Sequence, residues 1–274
     1  MEHGGELAIA ERAARAGGEV VAAWYARGPI AVETKADRSP VTEADRAAGA
    51  AIAAVLREAF PGDWILSEEE VDDPARLGRR RVWIVDPLDG TRDFIARTDQ
   101  FSVHVGLAVD GIAVVGAVYQ PVSGALYSAA AGGGAWRTRG GARARIAVSG
   151  VRELGAIRIG TSRMNPTSRL GRFLAAAELE AQAVPMGASV KHMATAEGAL
   201  DACVSLSGGE QEWDTCAPEV VIREAGGQLT DGDGRPFRYN QRDLGHRRGS
   251  LASNGACHAA LLELLRPHLG ADAT

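Results

Sequence analysis

Two observations predict a layered α+β protein: the first half is rich in β-like runs broken by tight turns, and the second half alternates strands with helices. Length is the third. With 274 residues the chain can form one large unit or two intimately packed halves, each burying its own core. We therefore expect an N-terminal α+β half with an antiparallel sheet over residues 1–145 and a C-terminal α/β half over residues 146–274, joined as one compact unit.

The elements follow in order. Leu7, Ala10, Ala14, Val21 and Trp24 recur at helical spacing until Gly28-Pro29, which predicts an amphipathic helix. A second helix starts at Thr42, whose hydroxyl can cap it, and runs through Ile52, Val55 and Leu56 to Pro61-Gly62. Trp64-Ile65-Leu66 and Val82-Trp83-Ile84-Val85 read as buried strands, each ending directly in acidic residues. Between Phe101 and Trp136 three β-like runs are punctuated by Asp110-Gly111 and Pro121-Val122-Ser123-Gly124, an antiparallel meander. The second half predicts strands at Ile157–Gly160, Ala202–Leu206 and Gln228–Thr230, with helices at Leu170–Ala181, Ser189–Leu200, Asp214–Ala225 and Ala256–Leu265.

Composition narrows the function. Hydrophobic residues at 46% and charged residues at 24% are those of an ordinary globular protein. Thirty basic against 35 acidic side chains give a net charge of -5, so the chain has no general attraction for long nucleic acid. A small phosphorylated substrate stays open, because acids gathered around cations reverse the local field. Cys203, Cys216 and Cys257 are odd in number and show no paired ligand spacing, which argues against a disulfide framework or zinc and suits the cytoplasm. Met1 to Ala16 lacks the basic start and apolar core of a signal peptide, and no stretch reaches membrane-spanning length, so no membrane partner is expected.

The chemistry concentrates in Asp86-Pro87-Leu88-Asp89-Gly90-Thr91, where an apolar strand runs into two carboxylates in one tight turn. Pro87 fixes the backbone and Gly90 lets it bend, so the acids can converge; two like charges there repel unless something positive lies between them. Asp-Pro and Asp-Gly are also common turn dipeptides, and taken alone that plain reading is about as good. It weakens beside Ser67-Glu68-Glu69-Glu70, where a second strand also ends in acids, since hard oxygen ligands from several segments suit magnesium. Asp214, in Glu212-Trp213-Asp214-Thr215, adds a third acid, although alone it reads as a helix cap.

Together these motifs resemble the inositol monophosphatase superfamily of metal-dependent, lithium-sensitive phosphatases. The likeness rests on Asp-Pro-Leu-Asp-Gly-Thr at 86–91, Ser-Glu-Glu at 67–69, Trp-Asp-Thr-Cys-Ala at 213–217 and Ala-Gly-Gly at 225–227, and extends over nearly the whole chain. It implies the αβαβα sandwich of the inositol monophosphatase and fructose-1,6-bisphosphatase type, two to three Mg2+ ions, and a homodimer. By position, Glu68, Asp86 and the Leu88 carbonyl would hold one ion, and Asp86, Asp89 and Asp214 a second; a third would sit near Glu68 with Asp45 nearby. Asp45 follows Thr42 at capping-box spacing, so it can simply start the helix. The resemblance instead implies that Asp45 and Thr91 orient the attacking water, with Glu68 also in the catalytic set, while Gly90, Thr91, Ser189, Lys191 and Asp214 contact the substrate.

The substrate is a finer question. Inositol-specific members carry a glutamate six residues before the Trp of the second motif, and here that position is Ser207. Gly187-Ala188-Ser189-Val190-Lys191 instead resembles the 3′(2′),5′-bisphosphate nucleotidases of the CysQ type, whose lysine binds nucleotide phosphate. Without that context Lys191 reads as a solvated helix charge. The expected reaction is removal of the 3′-phosphate of adenosine 3′,5′-bisphosphate or its sulfated form, with an inositol or fructose-1,6-bisphosphatase-like phosphatase as the alternative. An arginine that eukaryotic nucleotidases place near Ser205 is absent, leaving Arg163 or Arg238 to replace it. Trp83, Trp213 and Cys216 read as packing residues, and His104, in a strand-like run with Phe101 and Val105, as a hydrogen-bonded structural histidine rather than a ligand.

Overall fold

Helix α1 (Gly4–Ala26) buries Leu7, Ala10, Ala14 and Val21, the stripe its spacing predicts. A computed structural model describes residues 2–29, 31–34, 40–164, 168–187 and 190–269. A short antiparallel pair, β1 (Glu33–Thr34) and β2 (Pro40–Val41), precedes α2 (Glu43–Ala59), which packs on α1. Thr42 caps α2 as predicted, in a full capping box with Asp45.

A seven-stranded sheet follows in the order β3 (Trp64–Ser67), β4 (Arg81–Asp89), β5 (Ser102–Val109), β6 (Ile112–Gln120), β7 (Ala125–Ala130), β8 (Ala135–Arg139) and β9 (Ala142–Ile146). Only β3 and β4 are parallel, and the helix α3 (Thr91–Ala96) lies between β4 and β5 in the chain. The expected meander is there and extends further, through Gly140-Gly141, to β9. Its Ala-Arg-Ala-Arg-Ile is a charged edge strand with no run of β-formers to announce it. β3 is also an edge strand, so Trp64 and Ile65 are half-buried where full burial is expected.

The second sheet has the order β11 (Ala183–Met186), β10 (Ile159–Ser162), β12 (Ala202–Ser205), β14 (Ser250–Ser253), β13 (Gln228–Asp231). Around it lie α4 (Ser168–Ala176), α5 (Val190–Ala196), α6 (Glu212–Glu224) and α7 (His258–Leu265). Two of these strands are unexpected. β11 contains Pro185, tolerated because β11 pairs only with β10, and β14 is a four-residue Ser-Leu-Ala-Ser strand held between β12 and β13. α4 and α5 are shorter than their apolar spacing predicts, ending before Glu178 and Gly198, both of which take positive φ.

Helices α1 and α2 cover one face of the first sheet; α6 covers the other. α5 packs on α6 and on the second sheet, whose far side carries α4 and α7 around Ile157, Phe173, Leu251 and Leu261. The result is the expected αβαβα layering. α6 is thus the middle layer, and its seat on the first sheet is a cross-strand glycine pair, Gly106 and Gly116. A β-carbon on Gly106 would lie 2.6 Å from Cys216 Sγ, and one on Gly116 would lie 2.3 Å from the Ala217 carbonyl oxygen. No other residue lets the helix come so close. Among the described residues no helix is long and apolar enough to cross a membrane.

Candidate active site

β4 carries the acids. In a regular strand residues three apart point to opposite faces, which would separate Asp86 from Asp89. Here Asp86 pairs with His104 and Asp89 with Ser102, so three steps on β4 match two on β5. This bulge turns both carboxylates to the same face, and it is also where Pro87, lacking an N–H, interrupts the ladder least. Asp86 Oδ1 accepts from Leu88 N at 3.0 Å, and Gly90, with φ 89°, then redirects the chain into α3.

α6 delivers Asp214 to that face. Gln211 is its N-cap, and the Gln211 N–H donates to Asp214 Oδ2 at 2.6 Å, so Asp214 takes part in the cap from the N3 position rather than being the cap itself. Ligand atoms of Asp86, Asp89 and Asp214 all lie within 4.8 Å of one another. Burial, then the charge of Glu68, pushes the Asp86 carboxyl well above the usual range. Burial, then Asp89, does the same to Asp214. Glu68 lies outside the tightest trio, half-buried and within hydrogen-bonding reach of Asp86. Converging hard oxygens that repel one another in a low-dielectric setting are a donor set suited to a divalent cation such as Mg2+.

Asp45 closes the capping box of α2 and also meets Thr91. Its Oδ2 accepts from the Thr42 N–H at 2.8 Å and from the Thr42 hydroxyl at 2.5 Å, while its Oδ1 lies 3.1 Å from Thr91 Oγ1. The Thr91 hydroxyl is also 3.2 Å from the Leu88 carbonyl, and its one proton serves one acceptor at a time. Burial raises the Asp45 carboxyl above its ordinary value, against the opposing effect of the Thr42 and Thr91 hydrogen bonds.

Lys191 departs from the solvated-charge reading: it is 4% exposed, on α5 between the sheets. Together with Arg163 it acts electrostatically on Asp93, a buried acid one turn along α3 from Gly90 that sequence reasoning missed. Arg163 is exposed and held by the Pro185 carbonyl at 3.1 Å. Arg238 cannot replace the missing arginine, because Tyr239 bonds the Gly111 carbonyl at the opposite end of the sheet from Asp86. Ser207 is exposed and near Ser205. Ser189 lies outside the described residues. His104 is the hydrogen-bonded buried histidine its strand position predicts, and its Nε2 is also 3.6 Å from Asp89 Oδ2, a contact the sequence does not announce. Burial depresses its imidazole below the ordinary range. Trp213 is half-buried, and Trp83 and Cys216 are fully buried, as packing residues should be.

Comparison with known proteins bears on the family and the fold. The inositol monophosphatase family model matches residues 6–269. The 3′(2′),5′-bisphosphate nucleotidase CysQ of Escherichia coli K12 is 36% identical over 238 residues, 86% of this chain and 94% of that protein. A histidinol-phosphatase of Mycobacterium tuberculosis is 33% identical over 263 residues, 94% of this chain and 95% of that protein. Among solved structures, CysQ from Bacteroides thetaiotaomicron superposes with a TM-score of 0.78 at 31% identity, covering 92% of this chain and 97% of that one.

Proposed function

Since the chain belongs to the inositol monophosphatase family of metal-dependent phosphatases, and its relatives are phosphoric monoester hydrolases, we propose that it removes the 3′-phosphate of adenosine 3′,5′-bisphosphate or its sulfated relative. Glu68, Asp86 and the Leu88 carbonyl would hold one Mg2+, Asp86, Asp89 and Asp214 a second, and Glu68 a weaker third. Bound there, the ions would neutralise the phosphate dianion, lower the pKa of a water and steady the leaving oxygen.

The protein's own groups supply the rest. With Asp45 ionised, the Thr91 hydroxyl donates to Oδ1, and its oxygen lone pair is left to accept a hydrogen bond from the attacking water. Asp45 is in turn fixed by Thr42, so the pair orients the water without moving. The Gly90 and Thr91 N–H groups face the phosphoryl oxygens at the start of α3. Asp214 would also border the substrate, and Ser189 would join Lys191 on the nucleotide side. The cytoplasm is the proposed compartment, consistent with three buried, unpaired cysteine thiols.

The observation that carries the bisphosphate reading is the cationic pair Lys191 and Arg163 beside Asp93, one helical turn from the proposed phosphoryl site. A second phosphate would bring charge for these cations to meet, which a monophosphate lacks. A histidinol-phosphate reading is favoured instead by the Mycobacterium tuberculosis relative. Initial rates on adenosine 3′,5′-bisphosphate, inositol 1-phosphate, fructose 1,6-bisphosphate and histidinol phosphate separate these. The nucleotide should have the highest kcat/KM, and Lys191→Met should raise its KM about tenfold or more while sparing 3′-AMP. A higher kcat/KM on histidinol phosphate or inositol 1-phosphate would replace the reading.

A further inference from the structure

The His104 ring reaches both the strand and the helix that supply the cation site's acids. It is fully buried on β5, opposite Asp86, with Ser102 opposite Asp89. Its Nδ1 lies 3.2 Å from the Trp213 carbonyl oxygen. Only a donor can face a carbonyl, so Nδ1 carries a proton, while Nε2 lies 3.3 Å from the Ser102 hydroxyl oxygen. The same ring edge is 3.6 Å from Asp89 Oδ2. The Trp213 carbonyl belongs to the peptide whose nitrogen is that of Asp214, so the ring stands between Asp89 and the backbone that carries Asp214.

We infer that His104 is a positioning residue for the second cation: its Nδ1–H fixes the peptide ahead of Asp214 at a set distance from Asp89. A buried histidine with satisfied hydrogen bonds can be mere filling, and a leucine would fill the same space. The two roles differ in one respect. Filling sustains the fold, whereas positioning sustains the spacing of two carboxylates supplied by different elements. Groups that orient metal ligands commonly change metal affinity by about 10- to 100-fold when removed.

This inference rests on the reading of Asp86, Asp89 and Asp214 as cation ligands, and the test separates the two. Mn2+ binding to the full-length protein is measured by calorimetry and by electron paramagnetic resonance for wild type, His104→Leu, His104→Asn and His104→Gln. The asparagine amide nitrogen falls where Nδ1 was, and the glutamine amide falls nearer Nε2. We expect His104→Leu to melt close to wild type yet bind the second Mn2+ about tenfold or more weakly, with a matching rise in the Mg2+ needed for half-maximal rate. His104→Asn should restore binding and His104→Gln should not. Mn2+ binding by His104→Leu equal to wild type overturns the inference and leaves the site intact. Should His104→Leu fail to fold, equal Mn2+ affinity in the Asn and Gln variants overturns it instead. A wild type that binds no Mn2+ overturns the site reading itself.

Discussion

The starts of α2 and α6 are built alike and do different things. Each places an aspartate at the third helical position of a capping box, Asp45 behind Thr42 and Asp214 behind Gln211. Asp45 is met by three donors, two from Thr42 and one from Thr91. Asp214 is met by the Gln211 N–H and feels the charges of Asp89 and Glu68. The difference is one of neighbours rather than motif. Burial raises both carboxyls, but at Asp45 donors hold the rise back, whereas at Asp214 neighbouring acids add to it and call for a proton or a cation.

The largest effect should come from removing that requirement. Asp214→Asn is expected to lower activity about a thousandfold or more while stabilising the chelator-treated protein at pH 8 by about 1–3 kcal/mol. The sign follows from the raised carboxyl: its stabilising contribution is complete below the unfolded pKa of roughly 3.9 and is lost as pH rises through the elevated folded value. Urea unfolding in chelator from pH 4 to 8 should therefore show wild-type stability falling with pH more steeply than Asp214→Asn. Equal slopes would mean the acids are not in conflict.

Asp45→Asn should lower kcat about a hundredfold, with Mn2+ binding unchanged by calorimetry. Loss of a bound ion would move Asp45 into the ligand set and erase the contrast between the two helix starts. The smallest change tests how α6 is seated. Gly116→Ala puts a methyl where the Ala217 carbonyl lies 2.3 Å away, so the helix must shift. We expect about 1–3 kcal/mol of destabilisation in a thermal melt and weaker Mg2+ activation, with Asp45-dependent steps untouched.

This contrast also explains what a sequence reader can see. The acids at 68, 86, 89 and 214 are legible because each sits where an apolar strand or a helix begins or ends, and their order along the chain matches a known family. The bulge that brings Asp86 and Asp89 to one face is not legible, since register depends on which residues of β5 lie opposite. Burial of Lys191 is hidden for a similar reason: α5 is enclosed by α6 and by the second sheet, whose β10 and β14 lie well away from it along the chain. β14 escapes because Ser-Leu-Ala-Ser owes its conformation to pairing on both sides rather than to its own preference. His104 reads as a hydrogen-bonded structural histidine, but its partner, the Trp213 carbonyl 109 residues away along the chain, is not legible.

The central claim is that Asp86, Asp89 and Asp214 share divalent cations. Anomalous diffraction from crystals soaked in Mn2+ measures this directly. The account predicts a strong peak at coordination distance from all three carboxylates; strong peaks elsewhere with none among these three would contradict it.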